Sequence, residues 1–149
     1  VGNLPYYITS PILRKFFGYG EQDWAAGFFM IQKEVGDKIH TDASKKSYLR
    51  WLLNHSYDVY YTKTVPAKAF RPAPKVHSCL IALTRKAQPW PIDFATLITF
   101  LDVFAPYSRK TIGKIAKMTG THFVVPDHLA SKRLEDCGIE QLLEIISHS

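Results

Sequence analysis

Residues 25–35, AAGFFMIQKEV, decide how the rest of the chain is read. The run is apolar over a strand's length and turns polar at Gln32, as expected of a buried central strand that ends at a functional edge. A strand of that kind needs neighbours and covering helices, and the flanking sequence offers both. Upstream, Ser10-Pro11 reads as an N-cap followed by proline at the first helical position. Ile12, Leu13, Phe16 and Phe17 then give an apolar helix face that ends near Gly18. Downstream, residues 46–57 place Tyr48, Leu49, Leu52 and Leu53 at helical spacing. Residues 58–65 and 76–84 are rich in β-branched and aromatic side chains, so they read as two further strands joined by a proline-stiffened loop. Alternating elements of this kind predict an α/β layer structure.

The pattern changes at residues 87–91 (AQPWP), where two prolines within three residues disfavour both a continued helix and a central strand. Beyond them the periodicity is helical. Phe94, Leu97, Ile98, Leu101 and Phe104 share one face, and Ile139, Leu142, Leu143 and Ile146 repeat at i, i+3, i+4 and i+7. The expected organisation is an α/β part over 1–86, a linker over 87–91 and an all-helical part over 92–149.

Composition narrows the function classes. With 149 residues, 46% of them hydrophobic, the chain can bury one modest core or a partial core with a satellite. No apolar run is long enough to span a bilayer, and residues 1–10 lack the features of a secretory signal, so a cytoplasmic protein is expected. Two cysteines, Cys79 and Cys137, form neither a disulfide framework nor a metal-ligand pattern, and the six histidines show no ligand spacing, so no metal is expected. The net charge of +6 is uneven: residues 1–88 carry 13 Lys and Arg against 6 Asp and Glu, and residues 89–149 carry 6 against 7. An excess of cations suits a polyanionic partner, because neutralising phosphates releases condensed counterions.

The chemistry is concentrated at Asn3-Leu4-Pro5-Tyr6. An exocyclic amine on a planar base is a poor nucleophile because its lone pair is delocalised into the ring. Accepting hydrogen bonds from both amine hydrogens favours a pyramidal nitrogen whose lone pair can reach a methyl donor. Asn3 supplies a side-chain carbonyl oxygen, and Leu4 supplies a backbone carbonyl if Pro5 holds the turn. Tyr6 supplies a ring on which the base can stack. A base presented in this way has left its helical stack or comes from a single strand.

The residues around this tetrapeptide carry a family resemblance. Asn3 to Tyr6, followed by Ile8-Thr9-Ser10-Pro11-Ile12, resembles the NLPY-(x)-I-(S/T)-S-P-I signature of the KsgA/Erm family of rRNA adenine N6-methyltransferases. Met30-Ile31-Gln32-Lys33-Glu34-Val35 is similar to that family's (M/V)-Q-K-E-V segment. Phe70-Arg71-Pro72-Ala73-Pro74-Lys75-Val76-His77-Ser78 is similar to its F-x-P-x-P-K-V-x-S loop. The three motifs stand in the family's order. The resemblance implies that Asn3 and Leu4 accept hydrogen bonds from the adenine amine, that Tyr6 stacks on one face of the base and that Phe70 closes the other. Gln32, Lys33 and Glu34 read equally as a salt-bridged strand end or as substrate contacts, and they stay outside the catalytic set.

Arg109-Lys110-Thr111 resembles an R-K-T element of the small-subunit rRNA dimethyltransferases. At 100° per residue Lys110, Lys114 and Lys117 fall within about 60° of one another, with Ile112, Ile115 and Ala116 opposite, so one helix face is expected to offer cations to phosphate. Residues 44–48 (SKKSY) resemble a substrate loop of the family. Residues 133–140 resemble the segment leading into its last helix, with Glu135 and Asp136 expected at that helix's N-terminus.

The resemblance therefore implies the C-terminal part of a Rossmann-like class I methyltransferase sheet followed by a small all-helical RNA-binding domain. The implied cofactor is S-adenosyl-L-methionine, and the implied partner is small-subunit rRNA or a pre-30S-type particle. No glycine-rich turn follows a strand, so only Asn3 is expected to contribute to cofactor binding, and a truncated or split protein without activity by itself is expected. Adenine N6,N6-dimethylation is the leading expectation; a non-catalytic RNA-binding or ribosome-assembly factor derived from the same family is the alternative. The sheet is expected to leave an apolar face and an edge open.

Overall fold

A computed structural model describes residues 1–17, 24–44 and 47–149. The chain falls into two compact units, Val1–Ser44 with Leu49–Trp90, and Lys45–Tyr48 with Pro91–Ser149.

The first unit is a mixed α/β structure. Its strands are β1 (Gly2–Asn3), β2 (Ala26–Gln32), β3 (Tyr57–Val65) and β4 (Ser78–Arg85), in the sheet order β1-β2-β4-β3. β1 runs parallel to β2, with Gly2 opposite Phe29 and Asn3 opposite Met30. β4 is antiparallel to both β2 and β3, and the β3 register shifts between Tyr61 and Lys63. The expected central strand is thus an interior one. Its alternate side chains divide as a pleat requires: Ile31 is buried with Cys79, Ile81 and Leu83 of β4 and Val59 of β3, while Phe28, Tyr60 and Leu80 stay exposed.

Helices α1 (Thr9–Phe17), α2 (Lys33–Ile39) and α3 (Tyr48–Ser56) supply the cover. Leu13, Phe17, Ile39 and Leu53 from these helices join the strands in one cluster. Phe17 meets Phe29 and Tyr57 edge-on, at 5.4 and 5.2 Å between ring centroids. Burying each such side chain contributes about 1.5–3 kcal/mol, so this face holds the sheet together.

Two expectations are corrected here. α1 begins at Thr9, so Ser10 lies inside it; the start is set by the turn at Tyr6–Ile8 and by Thr9 Oγ1, which donates to Pro5 O at 2.9 Å. Pro11 still falls in the first turn, where a missing N–H costs nothing. The expected end near Gly18 lies outside the described residues. Lys33 and Glu34, read as the end of a strand, instead open α2. Paired side chains one turn apart support this short helix, Lys33 to Asp37 at 2.8 Å and Lys38 to Glu34 at 3.0 Å. Gly36 lets α2 lie close to β4, because a Cβ there would collide with Cys79 Sγ.

The second unit is helical, built from α4 (Phe94–Phe104), α5 (Ile112–Thr119) and α6 (Ile139–Ser147). Asp93 caps α4 by accepting from Thr96 N at 3.0 Å. Leu97, Phe100, Leu101 and Phe104 are buried on its inner face, with Phe100 stacked on Phe104 at 4.5 Å and edge-on to Phe123 at 5.2 Å. Ile112 and Ile115 of α5 and Leu142 and Ile145 of α6 are buried in turn. α5 ends at Gly120 with φ 61°, a left-handed position that glycine adopts without strain.

Glu135 and Asp136 sit in a separate short turn, Leu134–Asp136, and do not open α6. Gly138 opens it, its N–H donating to Gln141 Oε1 at 2.6 Å. No helix among the described residues is long and apolar enough to cross a membrane.

Candidate active site

The site is made where β1 ends beside β2. Leu4 N donates to Met30 O at 3.1 Å, extending the parallel pairing one residue past the strand. Pro5, at φ −58° and ψ 134°, turns the chain away from the sheet. Its carbonyl accepts from Ile8 N at 3.2 Å and from Thr9 Oγ1 at 2.9 Å. The Leu4 carbonyl therefore lies between two anchored peptide groups. The Asn3 side chain is exposed, and among the described residues it has no hydrogen-bond partner.

Tyr6 follows on the short turn Tyr6–Ile8, half-buried, with its hydroxyl hydrogen-bonded to Ser78 Oγ. That bond ties the NLPY segment to the first residue of β4, the strand that also pairs with β2. Ser78 was quoted within a motif but given no role, and no sequence signal singled it out. Its partner lies 72 residues away, and only the sheet order brings them together.

The opposite wall comes from the loop between β3 and β4. A short turn at Ala67–Ala69 leads into Phe70, whose N–H donates to Ala67 O at 3.1 Å. His77 Nδ1 accepts from Ala67 N at 3.0 Å and His77 O accepts from Lys33 N at 2.9 Å, so one residue holds both ends of the loop and the start of α2. Asn3, Leu4, Pro5 and Tyr6 face Phe70, Pro72 and Pro74 across a cavity of about 350 Å³, with Met30 in its lining. That volume is at the small end of ligand sites, about 300–1,000 Å³, and suits one planar ring system. The structure brings together all five residues expected at the base pocket. Met30, which lies in the second motif, and the loop prolines Pro72 and Pro74 complete the lining.

The Gln32–Lys33–Glu34 segment borders a different cavity, with Asp37, Lys75 and His77. Lys33 is occupied by Asp37, whose hydrogen bond holds the ammonium above its ordinary range. The Cys79 thiol on the sheet's closed face is pushed up to about 11 by burial. It is a buried structural thiol without nucleophilic character at neutral pH. Among the described residues no cluster of His, Cys, Asp and Glu could hold a metal ion.

In the helical unit, Lys114 and Lys117 are exposed on α5, opposite the buried Ile112 and Ile115. Arg109 and Lys110 precede that helix. Lys110 N bonds Tyr107 O at 2.8 Å in a turn, and Thr111 bridges Arg133 in extended geometry, so the helical stripe expected to start at Lys110 holds only Lys114 and Lys117. Lys45 and Lys46 of the expected substrate loop lie outside the described residues.

Known proteins support the same grouping. The family model described as ribosomal RNA adenine dimethylase matches residues 1–147. A ribosomal RNA small subunit methyltransferase A from Hydrogenobaculum sp. is 30% identical over 142 residues, covering 95% of this chain and 54% of that protein. One of the same description from Clostridium acetobutylicum is 41% identical over 91 residues, covering 60% of this chain and 33% of that protein. Among solved structures, a dimethyladenosine transferase from Plasmodium falciparum aligns with a TM-score of 0.78 at 20% identity, covering 98% of this chain and 64% of that one. The 23S rRNA methyltransferase ErmE aligns at 0.64, also at 20% identity, covering 98% and 62%. The chain spans about half the length of the curated relatives that it matches along most of its own length. With that family model matched along nearly the whole chain, this protein belongs to the ribosomal RNA adenine dimethylase family.

Proposed function

We propose that this chain forms the adenine-binding part of an enzyme that transfers two methyl groups in succession from S-adenosylmethionine to N6 of adenines in small-subunit rRNA. The observation that carries this is the cavity in which Asn3, Leu4 and Tyr6 face Phe70. A single-stranded or extruded adenine enters between Tyr6 and Phe70 and stacks against their rings. Asn3 Oδ1 and the Leu4 carbonyl accept the two amine hydrogens, which draws the nitrogen toward a pyramidal shape and orients its lone pair. Pro5 fixes the turn that carries both acceptors, and the Tyr6–Ser78 bond keeps the stacking ring in place before the base arrives.

The residues present do not make a complete cofactor site. Asn3, at the end of a parallel strand, is suited to touch the methyl donor, and among the described residues no glycine-rich turn after a strand is present to hold its other parts. The chain's own residues bind the base, orient the amine and cover the ring. Arg109, Lys110, Lys114 and Lys117 of the helical unit are proposed to contact rRNA phosphates, in a small-subunit precursor particle.

The test is methyl transfer from labelled S-adenosylmethionine to undermethylated small-subunit particles, with this chain mixed with the N-terminal half of a curated relative. Transfer is expected in the mixture and is expected to fall about 10²–10³-fold with Asn3→Ala, the usual cost of removing one polar group aimed at the reacting atom. RNA binding without transfer in any mixture would favour a non-catalytic assembly factor instead.

A further inference from the structure

The cavity is sized for one base, and exposed residues that adjoin its lining in sequence have no part in holding the adenine. Tyr7, next to the stacking Tyr6 on the same turn, is 86% exposed, and among the described residues no hydrogen bond or ring contact engages it. A tyrosine so exposed buries almost none of its ring. In the loop on the other side, Phe70, Pro72 and Pro74 line the cavity, and Arg71 and Lys75 are exposed. Lys68, just before Phe70, is exposed as well. No Asp or Glu occurs anywhere in residues 59–92; Lys75 also borders the cavity of Glu34 and Asp37, but those carboxylates are paired with Lys38 and Lys33. No ion pair to Lys68, Arg71 or Lys75 is present among the described residues. An aromatic platform beside a cationic edge is the combination that binds a single strand without reading its sequence.

Resting on the adenine-binding role argued above, we infer that these exposed residues form a second subsite for single-stranded RNA. Tyr7 stacks on the base adjoining the adenine, and Lys68, Arg71 and Lys75 neutralise the phosphates that flank it. The extruded nucleotide is then held by its neighbours as well as by its own ring, independently of the helical unit's cations.

The test is fluorescence anisotropy of this chain with a short labelled single-stranded RNA containing one adenine, read across a salt series. With Tyr7→Ala, binding is expected to weaken about tenfold with an unchanged salt slope. That loss is expected to vanish when the neighbouring nucleotide is made abasic. With Lys68→Gln, Arg71→Gln and Lys75→Gln combined, the slope of log K against log salt is expected to become shallower by about 2, for three single-strand phosphate contacts. All four positions are exposed, and circular dichroism melting of each variant checks that the fold is kept. An unchanged affinity for Tyr7→Ala together with an unchanged slope for the triple variant overturns the subsite. In that case, continued loss of adenine preference by Phe70→Ala leaves the adenine pocket standing. Absence of RNA binding by the unsubstituted chain at low salt overturns both.

Discussion

The two units solve the problem of burial differently. The helical unit buries one face of each of its three helices, and Phe100, Phe104, Ile115, Leu142 and Ile145 are all fully buried. The α/β unit covers one face of its sheet with helices and leaves Phe28, Tyr60 and Leu80 exposed on the other, at 55%, 51% and 37%. The first carries its own core; the second carries the candidate site on a sheet whose other face is apolar and open. Asn3, Leu4, Tyr6 and the Phe70 loop all sit at strand ends of the less covered unit, so keeping the cavity in shape depends on a few anchoring bonds, Leu4 to Met30 and Tyr6 to Ser78 above all.

The largest expected effect falls on the self-contained core. Phe100→Ala removes a ring stacked on Phe104 and edge-on to Phe123 and is expected to destabilise the helical unit by about 3–5 kcal/mol. Denaturant unfolding followed by near-ultraviolet circular dichroism checks this. A loss below about 1 kcal/mol would mean that the helical core is looser than its packing indicates.

The covered face of the sheet can be probed by titration. Burial raises the Cys79 thiol from 9.0 to about 11, with Tyr61, Lys33 and Asp37 as its polar neighbours. A thiol raised in the folded state keeps its proton there after the unfolded chain has lost it. Its contribution to stability is therefore present below pH 9 and is lost as the pH rises toward about 11, with a slope of up to about 1.4 kcal/mol per pH unit. Burial moves Tyr61 the same way, so Cys79→Ala is the comparison that isolates the thiol: its unfolding free energy should fall less steeply over this range. Equal slopes would mean that water reaches Cys79.

The smallest effect on stability concerns the open face. Phe28→Ser with Leu80→Ser is expected to change unfolding free energy by about 0.5 kcal/mol or less, because both side chains are substantially exposed. The same pair should reduce self-association in sedimentation velocity, since a contiguous apolar face favours contact between copies. Undiminished association would place the sticky surface elsewhere.

How much of this could be read from sequence follows the same division. The apolar run before Gln32 and the two β-rich segments gave three strands correctly because side-chain alternation and burial dominate there. The grouping of Asn3–Tyr6 with Phe70 at one cavity was legible through the family resemblance of the two motifs that hold them. α2 was not: Lys33–Ile39 is seven residues long, contains a glycine and has too few apolar positions to show a period. It exists because Gly36 allows close approach to Cys79 and because charged pairs one turn apart tie it together. The cationic stripe was read one turn too long for a related reason, since the extended pairing of Thr111 with Arg133, 22 residues on, delays the start of α5. Ile145, fully buried on α6, was missed when the periodic face was drawn through Ile146.

The central claim is that the Asn3–Tyr6 cavity holds an adenine by its amine. Its most direct test measures binding of this chain to two single-stranded RNAs that differ only in carrying adenine or purine, which lacks the amine, at one position. The account predicts that the adenine RNA binds more tightly, by about tenfold for each hydrogen bond left unpaired in its absence, and that Asn3→Ala removes most of the difference. Equal affinity of the unsubstituted chain for the two RNAs would contradict it.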